Sequence, residues 1–192
     1  RIRSPILNKP ALLDVGAAGP LAGVLVTLPL LVFGLQFSAI QVAPGGAGEL
    51  SGIVLGESLL FKIMCWLTLG TLPADHHLIL HPMAFAGWIG LLVTNLNLIP
   101  VGQLDGGHVA YALFAEKSTA LAKVCYVILI LLGVVYWYGW LVWVVLLYFM
   151  GFVHPPPQQD WVPLDPRRRT VGYLTIAVFV LTFMAAPFQV QW

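Results

Sequence analysis

Residues 124–153 run for 30 positions without a charged side chain. As one helix at 1.5 Å per residue this run would measure about 45 Å, well beyond a hydrocarbon core of about 30 Å. Tyr136-Trp137-Tyr138-Gly139-Trp140 lies at its middle, and such aromatics favour the membrane–water boundary. The run therefore reads as two short spans joined by a tight turn at Gly139. Three more apolar segments, at 15–35, 83–99 and 171–187, have lengths suited to crossing. Only 9% of the residues are charged and 59% are hydrophobic, against roughly 25% charged in soluble domains. So few charges cannot clothe a water-facing surface. The reading is an all-α, multi-pass integral membrane protein of about five spans.

Charge placement supports that count. Five spans put Arg1, Arg3 and Lys9, then Lys117 and Lys123, then Arg167, Arg168 and Arg169 on one side of the bilayer, as the positive-inside rule prefers. Counting 124–153 once would put the three arginines on the opposite side. A net charge of +1 argues against nucleic acid as a partner, since phosphate binding needs a basic face. Cys65 and Cys125 sit 60 residues apart in apolar stretches and read as small buried hydrophobes, not as a redox or zinc pair.

The chain reads as one membrane-embedded unit over 1–192, with no internal repeat. In the first segment Asp14 is the expected helix cap. Gly19 and Gly23 have the four-residue spacing that lets two helix backbones approach closely. Residues 36–82 form a loop with an extended piece at 38–42, a turn at 44–48, and an interfacial or re-entrant helix over 57–69. Residues 154–170 form a Pro-rich and basic loop. Starting at Arg1 without a signal-peptide pattern, the sequence is expected to be a fragment or processed product.

Asp105 is the most informative position. A carboxylate at membrane depth costs roughly 2.5–3.5 kcal/mol on insertion scales, so it marks function by default. Pro100 and Gly102 break the preceding helix, and freed backbone groups are tolerated at that depth only beside protein or a wet cavity. Gly106 and Gly107 permit close backbone approach where a new helix starts, and its N-terminal dipole favours an anion. The plainer alternative makes Asp105 an interfacial helix cap just outside the bilayer.

The stretch Asn97-Leu98-Ile99-Pro100-Val101-Gly102-Gln103-Leu104-Asp105-Gly106 resembles the Asn-x-x-Pro-x-x-x-x-Asp-Gly motif of the site-2 protease family of intramembrane zinc metalloproteases. Gly19-Pro20-Leu21-Ala22-Gly23 resembles the Gly-Pro-Leu-Ala-Asn/Gly element that follows the family's zinc-binding helix. His81-Pro82 and Ala86-Gly87-Trp88 look like its plastid and cyanobacterial branch. The resemblance covers most of residues 1–115. It implies a peptidase acting on transmembrane protein substrates among membrane lipids. It implies one zinc ion held by Asp105 and by two histidines of a His-Glu-x-x-His motif. It further implies a substrate or oxyanion region formed by Gly19, Pro20, Asn97 and Pro100, with Asn97 in a catalytic role. In that family three protein ligands leave one zinc position for water.

The sequence departs from the family in two respects: it contains no His-Glu-x-x-His, and Gly23 stands where Asn is more usual, which removes any transition-state hydrogen bond that Asn would supply. Two expectations follow from the first. Either the zinc-binding histidines lie upstream of residue 1 and these residues alone are inactive, or the protein is a metal-free pseudoprotease that binds membrane proteins. A transporter with an intramembrane carboxylate is a third reading. Among the histidines, His108 stands three residues beyond Asp105 and can orient its carboxylate, or face lipid headgroups. His77 and His81, four apart, are expected to share a helix face, where Asp75 would complete a local metal site; solvated histidines are the plainer reading.

Overall fold

A computed structural model describes residues 6–42, 52–73 and 76–191. The turn expected at 44–48, the basic Arg1 and Arg3, and Asp75 lie outside the described residues. The chain runs α1 (Lys9–Gln36), β1 (Ala39–Val42), β2 (Gly52–Leu55), α2 (Leu59–Leu69), β3 (His76–Ile79), α3 (Pro82–Asn97) and α4 (Asp105–Phe114). It continues with α5 (Lys117–Val135), α6 (Gly139–Met150), α7 (Pro166–Thr182) and β4 (Phe188–Gln191). Among the described residues two helices are long and apolar enough to cross a membrane. These are α1, with 28 residues and mean hydropathy 2.0, and α5, with 19 residues and mean hydropathy 2.2.

Helix α1 starts earlier than the charge pattern implied. Asn8 caps it, its side-chain oxygen accepting from the Ala11 N–H at 2.9 Å. Asp14 lies inside the first turns, bound instead to Arg168. The first free N–H groups of a helix need an acceptor just ahead of the first turn, which Asn8 supplies and Asp14 is too late to supply. Ser58 likewise caps α2 through the Phe61 N–H. The break expected at Gly139 is present, with α5 and α6 packed antiparallel so that Gly133 faces Leu141.

Helix α1 is the spine against which α3 and α4 lie in succession. A Cβ built on Gly34 would collide with the backbone of Met83 and Ala84, and one on Gly87 would meet Leu31. One on Gly23 would stand 3.2 Å from the Thr94 hydroxyl. Further toward the α1 start, a Cβ on Gly16 would lie 2.8 Å from both the Asp105 carbonyl oxygen and His108 Cβ. Leu12, Leu13 and Ala17 then pack with Val109, Tyr111 and Ala112. Helices α3 and α4 thus form one interrupted path antiparallel to α1. Close backbone approach at small residues is how helices associate where lipid removes the usual hydrophobic drive.

The remaining helices close the bundle. Trp140 Nε1–H donates to the Ala185 carbonyl at 2.7 Å, tying α6 to the end of α7. Trp88 Nε1–H donates to the Gly56 carbonyl at 2.7 Å, tying α3 to the segment after β2. Both indoles are fully buried, and each polar N–H has found a partner as burial demands. The outward faces are apolar, with Leu25 73%, Val134 63% and Phe149 81% exposed. A surface of that kind suits hydrocarbon surroundings.

Two expectations are corrected. The chain is mostly helical rather than all-α: β1 pairs antiparallel with β3, and β2 with β4. Each strand has four residues, and the partners are remote in sequence, so no local periodicity announces them. The loop backbone still needs hydrogen-bond partners, and these ribbons supply them. His77 and His81 share no helix face. His77 lies in β3 opposite Gln41, and His81 is the α3 cap, its Nδ1 accepting from the Met83 N–H at 3.2 Å. Pro82 at the first helical position forces the helix to begin there, not before.

Arg168 fastens the start of α7 to α1. Its Nε donates to both Asp14 oxygens at 3.0 Å, its Nη2 to Asp14 Oδ2 at 2.9 Å, and its Nη1 to Asp165 Oδ2 at 2.8 Å. The Arg168 backbone N–H and then its guanidinium hold the Asp165 carboxyl below the usual carboxylate range. A carboxyl depressed by folding stabilises above its unfolded pKa, and that contribution is lost as pH falls through the folded value. Acidification below about pH 4 is therefore expected to lower the thermal unfolding temperature in detergent. Asp165→Asn should keep the cap and flatten that dependence; an unchanged acid slope, read by circular dichroism, would refute the assignment.

Candidate metal centre

Asp105 is the first residue of α4, with Leu104 in the cap position and no side-chain capping bond. Asp105 is therefore not the cap residue of α4, and among the described residues no backbone N–H engages its carboxylate. The carboxylate is half-buried. Its Oδ2 stands 3.5 Å from the point a Gly19 Cβ would occupy. No hydrogen bond or ion pair engages it among the described residues. The missing side chain at Gly19 leaves the space into which Asp105 projects.

The connection 98–104 is what places it. Leu98 follows the last turn of α3, its N–H donating to the Thr94 and Asn95 carbonyls at 3.0 and 3.1 Å. The chain then doubles back through Pro100 and through Gly102, whose φ of +58° is the left-handed conformation glycine adopts without cost. Cβ atoms on Gly106 and Gly107 would strike the carbonyls of Leu98 and Gly102. The Asp-Gly-Gly sequence therefore folds over its own preceding loop. Behind it lies an apolar groove of about 290 Å³ lined by Leu98, Pro100, Gly106, Val109, Cys125 and Phe179.

The other expected site residues divide. Gly19 is exposed beside Asp105, while Pro20 is buried in α1. Asn97 ends α3 with its side chain exposed, and Pro100 is half-buried in the connection. His108 lies one turn along α4 from Asp105, but its hydrogen bond goes elsewhere. Its Nδ1 is 2.6 Å from His154 Nε2, and His154 Nδ1 donates to the Pro155 carbonyl at 2.7 Å. Tyr111 stacks on His154 with ring centroids 4.9 Å apart. Sequence reasoning gave His154 no role, and a separation of 46 residues carries no signal that could have done so.

Zinc accepts carboxylate oxygen readily, and Asp105 offers one with its lone pairs unengaged. Among the described residues no three His, Cys, Asp or Glu side chains converge to hold a metal. Asp105 thus fits one corner of a tetrahedral site.

Helices α3 and α4 form a broken path on a glycine-bearing spine, with an unpartnered carboxylate at the break. The sequence model of Peptidase family M50 matches residues 7–136, and the chain belongs to that family, the site-2 proteases. It is 30% identical over 191 residues to the probable zinc metalloprotease EGY2, chloroplastic, of Arabidopsis thaliana, covering 98% of this chain and 34% of that protein. It is 31% identical over 188 residues to the protein of that name in Oryza sativa subsp. indica, covering 95% and 32%. It is 29% identical over 119 residues to the Arabidopsis probable zinc metalloprotease EGY1, chloroplastic, covering 62% and 22%. The chain spans about a third of the length of the first two relatives. No solved structure matches it.

The two kinds of glycine are expected to behave differently. Gly106→Ala drives a Cβ into the Leu98 carbonyl and should destabilise by about 1–3 kcal/mol as an overpacked site. Gly19→Ala adds only an ordinary contact at 3.5 Å to Asp105 Oδ2 and should leave unfolding unchanged. Detergent-solubilised unfolding of both variants measures this, and equal losses would refute the placement of the Asp-Gly turn.

Proposed function

We propose that these 192 residues are part of an intramembrane zinc metalloendopeptidase that hydrolyses peptide bonds of membrane proteins in or near the bilayer. The observation that carries this reading is the unpartnered Asp105 carboxylate held against the Gly19 surface of α1 in a family M50 chain. Gly19 is ten residues along a helix of 28, which sets Asp105 about 15 Å from the start of α1. If α1 crosses the bilayer, the carboxylate lies at depth.

Five crossings complete this reading: α1; α3 with α4; α5; α6 with the segment after it; and α7. The antiparallel course of α3 and α4 along α1, and the Arg168–Asp14 pair joining the starts of α1 and α7, support an odd number. Lipid acyl chains then cover the exposed apolar faces, and a transmembrane protein is the substrate.

In the proposed mechanism Asp105 and two histidines outside these 192 residues hold the metal. A zinc ion held there would supply the Lewis acidity that activates water and polarises a peptide carbonyl. Asp105 supplies a negative oxygen ligand, stabilised by the N-terminal end of α4. Asn97, exposed at the last turn of α3, hydrogen-bonds the substrate backbone or its developing oxyanion. Gly19 and Pro20 leave the opposing surface thin, so that an extended peptide can approach. Pro100 and Gly102 fix the bend that separates Asn97 from Asp105.

The test uses a chain extended to include the family's His-Glu-x-x-His helix, reconstituted in vesicles with a transmembrane substrate. Asp105→Asn is nearly isosteric and removes no capping bond, so helix content and unfolding temperature should hold while zinc content and cleavage are lost. Asn97→Ala should keep zinc while turnover falls about 10²–10³-fold, the effect of losing one oxyanion donor. Cleavage at the parental rate by Asp105→Asn would sink the mechanism. Substrate binding without zinc or cleavage would favour the pseudoprotease reading.

A further inference from the structure

The nitrogens of two histidines decide each other's protons. The Pro155 carbonyl can only accept, so His154 Nδ1, 2.7 Å away, carries a hydrogen. His154 is buried at 8% exposure with no carboxylate paired to it among the described residues, and a buried unpaired charge is costly, so its ring is neutral. Its Nε2 therefore bears a lone pair. That nitrogen lies 2.6 Å from His108 Nδ1, which must be the donor. No carboxylate pairs with His108 among the described residues, so its half-buried ring is held neutral. With its one hydrogen on Nδ1, it has none on Nε2.

Asp105 and His108, three residues apart, stand on one face of α4. Both meet the same surface of α1, Asp105 at Gly19 and His108 at Gly16. We propose that His154 is a positioning residue that holds His108 in the Nδ1–H tautomer, so that its Nε2 is left as a hydrogen-bond acceptor for water O–H or peptide N–H.

The segment carrying His154 is anchored independently of that bond. The Gln159 N–H donates to the Leu7 carbonyl at 2.7 Å. Lys9 Nζ donates to the Asp160 carbonyl at 2.7 Å and pairs with its carboxylate at 3.3 Å. Tyr111 packs flat on the His154 ring. A substitution at His154 that keeps a planar side chain can thus remove the acceptor without unseating the segment.

Nitrogen-15 NMR of the histidine-labelled 192-residue chain in micelles near neutral pH, with His108 assigned from His108→Gln, reads the tautomer directly. Wild type should show His108 protonated at Nδ1 and bare at Nε2. His154→Phe, which can stack on Tyr111 but cannot accept, should shift His108 toward Nε2–H. His154→Gln, whose side-chain oxygen accepts, should restore the wild-type pattern. An Nε2–H wild type, or an unmoved His154→Phe, overturns the proposal.

Discussion

The small-residue face of α1 is the constraint on which the rest of the structure depends. Gly16, Gly19, Gly23 and Gly34 strip that helix of side chains where other backbones must come close. Bilayer hydrocarbon is as apolar as leucine, so burial there gains little and close van der Waals contact between helices must substitute. The partner path is antiparallel and interrupted: α3 covers the later half of α1 and α4 the earlier half. The gap between them falls opposite Gly19 and Gly23. An interruption in that place puts a helix N-terminus and its acidic first residue against the one stretch of α1 that has room for them.

The interruption is stabilised from its own chain and from a distance. Gly106 and Gly107 let the start of α4 sit on the carbonyls of the loop it has just left. From the other side, the segment after α6 runs past the same helix, touching Gly102 with the Gly151 carbonyl and His108 with His154. It ends against the start of α1 through Gln159 and Asp160. The site is therefore held between a rigid spine and a hydrogen-bonded strap, and the carboxylate in the middle is left without a protein partner among the described residues, as is the fully buried Asn95 side chain of α3. For a family M50 chain, that unpaired carboxylate is the observation on which the proposed metal-ligand role of Asp105 rests.

Several elements were legible because a local rule governs them. The 30-residue uncharged run must fold back if it is to fit a bilayer, and it does so beside Gly139. Pro100, Gly102 and the two glycines after Asp105 dictate a helix break through backbone sterics alone. The extended piece expected at 38–42 is β1. Other expectations failed where two local signals competed. Asp14 and Asn8 are both good caps, and Pro10, at the second helical position where no backbone N–H is needed, favours a start just after Asn8. His77 and His81 have helical spacing, yet β3 pairs with β1 and Pro82 starts a new helix, so the spacing has no helix to act on.

By itself the sequence determined the class of the protein, the apolar passages, the helix break and the identity of the carboxylate at it. Each of these follows from short-range facts: side-chain transfer energies, prolines that lack an N–H, glycines that lack a Cβ. Only the tertiary structure decided what surrounds that carboxylate. Gly19 and Asp105 are 86 positions apart and His108 and His154 are 46 apart, and no periodicity relates them. Their meeting depends on how α1, α4 and the strap after α6 pack. Packing is set by the shapes of surfaces assembled from distant parts of the chain, and those surfaces exist only once the helices have found one another.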